Sequence, residues 1–142
     1  MGVLLALLES DGFRNRPQMY CGESKFAVVG PWLRGIEFGI AQILPNQPND
    51  IDGFREWLHM TLDGPGNVDW ISIIALKFGD DEAGTQGLFE QFDLFRKDVL
   101  ERGLHAIIDA HREYELQRYG YPATSRLGGI AGSPKRRTNL PE

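Results

Sequence analysis

The chain has 142 residues, 42% apolar and 25% charged, with a formal net charge of −5; that is the composition of one globular domain and excludes a disordered or membrane-embedded chain. Cys21 is the only cysteine, which excludes an intramolecular disulfide and any zinc site built on two cysteines, and points to a reducing, cytoplasmic setting. The charge is uneven: residues 126–142 carry +3 and residues 1–125 carry −8, so the body repels a phosphate backbone and suits a basic protein partner.

In chain order, the apolar run Val3–Leu8 reads as the first turns of a helix over residues 2–10, closed by Ser10-Asp11-Gly12. No basic residue precedes the run, it is short for a signal-peptide core, and Ala6 breaks the myristoylation pattern, so no membrane anchor is expected. Residues 13–22, with Pro17 and Gly22, read as an ordered loop. From Ser24 to Leu44, Val28, Trp32, Ile36, Ile40 and Ile43 draw one stripe of a helix, with a kink or a true start expected at Pro31 and a stop at Pro45 and Pro48. Asp50 is placed to cap a helix whose apolar face is Ile51, Phe54, Trp57, Leu58 and Leu62.

The turn over residues 63–67 leads into Val68, Trp70, Ile71, Ile73, Ile74, Leu76 and Phe78, a stretch read as a central helix capped by Asn67, with a buried strand as the alternative. Asp80, Asp81 and Glu82 put negative charge at the start of a long helix, whose stripe is Leu88, Phe92, Phe95 and Val99 flanked by Phe89 and Leu100. Gly103 marks a break or bend, and Leu104, Ile107, Ile108 and His111 continue to about Arg118. The expected fold is all-α: a compact single-domain bundle of about five or six helices over residues 1–120, with an irregular Gly/Pro/basic tail over residues 121–142.

Chemistry-bearing patterns are sparse. His105 with Asp109, and His111 with Glu115, stand one helical turn apart, but the two pairs point to different faces and no H-E-x-x-H occurs. Surface pairing explains them more simply than metal or acid–base chemistry. No serine lies in G-x-S-x-G, Cys21 has no identifiable base, and neither Gly64-Pro65-Gly66 nor Gly128-Gly129 has the setting of a phosphate loop. The sequence therefore predicts no catalytic residue, no metal and no cofactor. The basic triplet Lys135-Arg136-Arg137 reads as a solvated tail. Asp80, Asp81 and Glu82 serve as helix-start charges, and with Glu90, Asp93 and Asp98 they also form an acidic ridge able to plug a basic cleft.

Arg16-Pro17-Gln18-Met19-Tyr20-Cys21-Gly22 has the form R-P-x-M-Y-x-G. The same string occurs in the ATPase domain of type II topoisomerases, from which this chain differs in lacking the upstream nucleotide-binding motifs and the length. It more closely resembles a group of small bacterial proteins that open with this element, followed by features matched here by Phe54-Arg55-Glu56-Trp57-Leu58, Trp70–Ile74, and Asp81-Glu82 leading to Leu88, Phe89 and Phe92. Such proteins are often encoded beside toxins, so the resemblance, over roughly residues 13–100, implies an immunity (antitoxin) role and brings no catalytic residue. On that reading the partner is a cognate, basic toxin domain whose active site is occluded, and the contact residues are Arg16, Gln18, Tyr20, Asp80, Asp81, Glu82, Glu90 and Asp93. A purely structural role for the R-P-x-M-Y-x-G segment would instead bury Met19 and Tyr20. The alternative function is a small helical enzyme or ligand-binding domain with a pocket using His105, His111, Tyr114 or Cys21.

Overall fold

A computed structural model describes residues 2–46, 49 and 51–120. The tail over residues 121–142, the stop at Pro48 and the cap at Asp50 lie outside the described residues. Among those residues every regular element is helical: α1 (Val3–Leu8), α2 (Asp11–Asn15), α3 (Gln18–Cys21), α4 (Phe26–Ile43), α5 (Phe54–Leu62), α6 (Trp70–Phe78), α7 (Glu82–Arg102) and α8 (Leu104–Tyr119). The all-α expectation holds. Two helices more than expected come from the segment read as a loop. The Ser10 hydroxyl accepts a hydrogen bond from the Phe13 backbone N–H at 3.3 Å, so the residue expected to end one helix also caps α2. Pro17 then precedes α3, which closes on Gly22 at φ 93.

Helix α4 runs through Pro31 from Phe26 to Ile43, so the proline is not the helix start. Its first turn is held from outside the helix: the N–H groups of Phe26 and Ala27 donate to the carbonyls of Asp81 and Asp80 at 3.2 and 2.9 Å, so the helix nucleates ahead of the proline. Its buried face is also one residue out of register with the expected stripe. Phe26, Val29, Leu33 and Glu37 are buried, Val28, Trp32, Ile36 and Ile40 are half-buried, and Ile43 is 78% exposed. The reason is that α4 packs against α6 and α7 and also against α1 and α3, so a broad arc of its surface is covered.

The other helices follow their apolar periods with corrected ends. Helix α5 starts at Phe54 behind Gly53 at φ 87. Asp69, not Asn67, caps α6, accepting from the Ser72 N–H at 2.9 Å. Leu76 and Leu100 are exposed, whereas Leu88, Phe89, Phe92 and Phe95 are buried. Gly103, at φ 84, separates α7 from α8; the two pack on each other rather than forming one rod. The centre of the core is aromatic: the Phe54 ring lies 5.3 to 6.5 Å from those of Trp57, Trp70, Phe92 and Phe95. A second aromatic group joins Phe13 to Tyr20, Trp32 and Phe89.

Candidate functional site

The α5–α8 contact buries ionisable groups, which is costly unless they are paired or functional. Glu56 and His59, three residues apart on α5, and His111 and Glu115, four apart on α8, are each no more than 1% exposed. His59 Nδ1 lies 2.9 Å from His111 Nε2, and His59 Nε2 lies 3.1 Å from the Tyr119 hydroxyl. His111 Nδ1 stands 3.4 Å from Glu115 Oε1 without the geometry of a hydrogen bond, and it has no other hydrogen-bond partner.

These distances select one tautomer. A bare His111 Nδ1 would set its lone pair against a carboxylate oxygen, so the proton sits there, facing Glu115. His111 Nε2 then accepts from His59 Nδ1–H, and His59 Nε2 accepts from the Tyr119 hydroxyl. Burial first, then the nearby His111 and Arg55, lower the pKa of His59 from 6.5 to about 4. Burial also lowers that of His111, against the opposite pull of Glu115 and Glu56. Both imidazoles are therefore neutral near pH 7.

The turn between α5 and α6 roofs this cluster. Arg55 donates to the carbonyls of Val68, at 2.9 Å, and Gly66, pinning one end. Asp63 accepts from Tyr114 and Arg118 of α8, pinning the other. Those two bonds hold the Asp63 carboxyl below its usual range, and burial together with Asp63 pushes the Tyr114 phenol up to about 12. Gly66 passes so close that a Cβ there would stand 3.0 Å from the Tyr119 hydroxyl and 3.4 Å from His59 Nε2. On its outer side, Gly66 and Arg55 help line a recess of about 430 Å³, together with Arg34, Asn67, Val68, Asp69 and Trp70.

The structure brings together only part of the pocket expected from the sequence. His111 and Tyr114 belong to the cluster; His105 and Asp109 are exposed and do not. Cys21 is half-buried at the end of α3, its thiol donating to carbonyls of Pro17 and Glu23. The sequence pairs His111 with Glu115 by spacing and reads such pairs as surface contacts with partly buried histidines, and it gives no role to Glu56 or His59. The available signal was Glu-x-x-His on an otherwise apolar face of α5.

The expected partner-binding residues are exposed. Arg16, Gln18 and Tyr20 face solvent, as does Met19 at 73%. Tyr20 keeps one edge against Phe13, with ring centroids 5.3 Å apart. Asp80, Asp81, Glu82, Glu90 and Asp93 are exposed as well. The chain just after the first group is tied to the start of α7: the Ser24 hydroxyl donates to Glu82 at 3.3 Å, and the Thr85 hydroxyl donates to the Ser24 carbonyl at 2.7 Å. Asp93 is gripped by both terminal nitrogens of Arg14 at 2.7 Å, and Asp98 accepts from the Trp57 indole at 2.9 Å, so neither carboxylate is a free charge on the ridge. Burial of Met19 and Tyr20, expected if that segment were purely structural, is not observed.

Fold and surface together define a helical domain with a buried His–His–Glu cluster and an exposed acidic and aromatic face; no helix among the described residues is long and apolar enough to cross a membrane. No protein-family model matches the chain, and no curated protein or solved structure is significantly similar to it.

Proposed function

We propose that this protein is a non-catalytic binding protein, a bacterial immunity protein that neutralises a cognate toxin by covering its active site. The reading is supported chiefly by one observation: Met19 and Tyr20 of the Arg16–Cys21 segment are exposed, and so is the acidic start of α7, to which Ser24 just after that segment is hydrogen-bonded. An apolar anchor flanked by negative charge suits a basic cleft: the aromatic supplies buried area and the carboxylates steer the encounter. The partner is then a basic toxin domain, and the complex forms in the cytoplasm.

The test is co-expression with the product of the neighbouring gene, scored by growth and by co-purification. Rescue with a stable complex is expected, and the triple variant Asp80→Lys, Asp81→Lys, Glu82→Lys should slow association and weaken the complex while leaving the fold intact. Absence of both rescue and complex contradicts the reading. It would turn attention to a ligand-binding role, to be tested first at the recess of about 430 Å³ lined by Arg34, Arg55 and Trp70.

A further inference from the structure

The buried polar cluster at the α5–α8 contact has no part in recognition at α3 and α7, and it needs its own explanation. One ligand atom from each of His59, His111 and Glu115 lies within 4.8 Å of the other two, and all three side chains are fully buried. Beside these atoms, His111 Nδ1 is a buried polar atom without a hydrogen bond, turned toward the Glu115 carboxylate.

We propose that His59, His111 and Glu115 bind one divalent transition-metal ion of the zinc type, which ties α5 to α8. Two imidazoles and one carboxylate form a borderline donor set that suits Zn2+ and its first-row neighbours. Ca2+ and Mg2+ prefer all-oxygen cages, and soft Cu+ prefers thiolates. The ion takes the place of the His59 Nδ1 proton that His111 Nε2 accepts at 2.9 Å; that proton moves to His59 Nε2, which then donates to the Tyr119 hydroxyl oxygen. With bonds of about 2.0–2.2 Å to zinc, two ligands of one ion stand no more than ~4.3 Å apart. The widest pair, within 4.8 Å here, must therefore close to that span on binding.

The surroundings also fit. The Tyr119 hydroxyl is on the far nitrogen of His59, where a ring-orienting partner of a metal ligand belongs. Three protein ligands leave the fourth position of a tetrahedral ion to a water, shut off from a substrate beneath the turn at Gly66. Entry requires the turn fastened by Arg55, Tyr114 and Arg118 to lift.

The experiment uses the untagged full chain, stripped with a chelator, exposed to Zn2+ alone, desalted, and assayed for bound zinc and for its melting temperature. One zinc per chain and a higher melting temperature are expected, with Co2+ giving the visible absorption of a low-coordinate site. Glu115→Gln, which keeps the volume of the side chain, should weaken binding about tenfold or more. His111→Gln should abolish it, with circular dichroism used to verify the fold. His105→Gln removes the one remaining histidine, which is exposed on α8, and should bind as the wild type does. A wild-type chain that retains no stoichiometric zinc overturns the proposal. So does a site lost in His105→Gln, or one kept in both Glu115→Gln and His111→Gln. The result is independent of toxin binding, and either reading can fail alone.

Discussion

Replacing Gly84 by alanine sets two effects of opposite sign against each other, and the structure decides between them. Alanine is favoured over glycine inside a helix by about 1 kcal/mol. A Cβ at Gly84, however, would overlap the Gly79 carbonyl oxygen and stand 3.0 Å from the Gly79 carbonyl carbon and 2.8 Å from the Phe26 Cβ. None of these atoms is the free end of a flexible side chain: two are backbone, and the third belongs to a fully buried phenylalanine. Relief requires the start of α7 to move away from α4, and overpacking of this kind costs about 1–3 kcal/mol. With backbone as the obstacle the upper end applies, so the net loss is about 1–2 kcal/mol. Gly35→Ala in α4 is the control, because its Cβ would meet nothing within 4 Å; there the propensity gain stands unopposed, at about 0.5–1 kcal/mol. Urea denaturation of both variants at constant slope reads the two signs directly. A Gly84→Ala chain as stable as Gly35→Ala would mean that α7 does not approach the Gly79 turn as described.

Phe92→Ala should cost about 3–5 kcal/mol, because Phe92 is fully buried and loses its packing on Phe54 and Phe95; wild-type melting would show that the aromatic centre is misassigned. The metal-free chain should lose stability on mild acidification. His59 titrates near 4 when folded and 6.5 when unfolded, so below 6.5 the unfolded chain takes up a proton that the folded chain refuses. The stabilisation is complete above 6.5 and is lost as the pH falls toward 4, by up to about 3 kcal/mol. His111 shifts in the same direction, and the depressed Asp63 and Asp98 act only below 3.8, outside this window. A denaturation midpoint that stays flat across the window contradicts the buried neutral pair.

Periodicity predicted the long helices because each buries apolar residues at helical spacing, and capping chemistry placed the start of α7 close to where it is. It failed where a second side of a helix is covered. The Val28–Ile40 stripe is real, but α4 sits under α1 and α3 as well as on α6 and α7, so Phe26, Val29 and Leu33 are the deeper residues. Pro31 misled because its missing hydrogen bond was weighed within one helix, while the bonds from Phe26 and Ala27 to the α6–α7 turn come from outside it. The site was half legible. His111 and Glu115 could be paired from their spacing, but their burial is a property of α5 packing on α8, and His59 joins them from 52 residues away in sequence. No local pattern carries that distance. Gly84 and Gly87 went unread for the same reason, since what they make room for, Gly79 and Phe78, belongs to the preceding turn and helix.

On the exposed face, residues that touch a partner differ from residues that set its shape. Helices α2 and α3 have five and four residues, too short to hold a helical form alone. Their position rests on Phe13, wedged against Trp32 and Phe89, and on Arg14, which donates to the Leu8 carbonyl at 2.5 Å and clasps Asp93. Asp93 is thus a brace for the segment that carries Tyr20 as much as a member of the acidic ridge. Removing its charge would weaken recognition by letting α2 and α3 shift, even with no direct contact to the partner. Asp80 and Asp81 differ: their carbonyls hold the first turn of α4, which leaves their carboxylates outward and substitutable without loss of the fold. On the proposed reading, the charge that meets the toxin belongs to Asp80, Asp81 and Glu82, and the placement of the segment carrying Met19 and Tyr20 belongs to Phe13, Arg14 and Asp93.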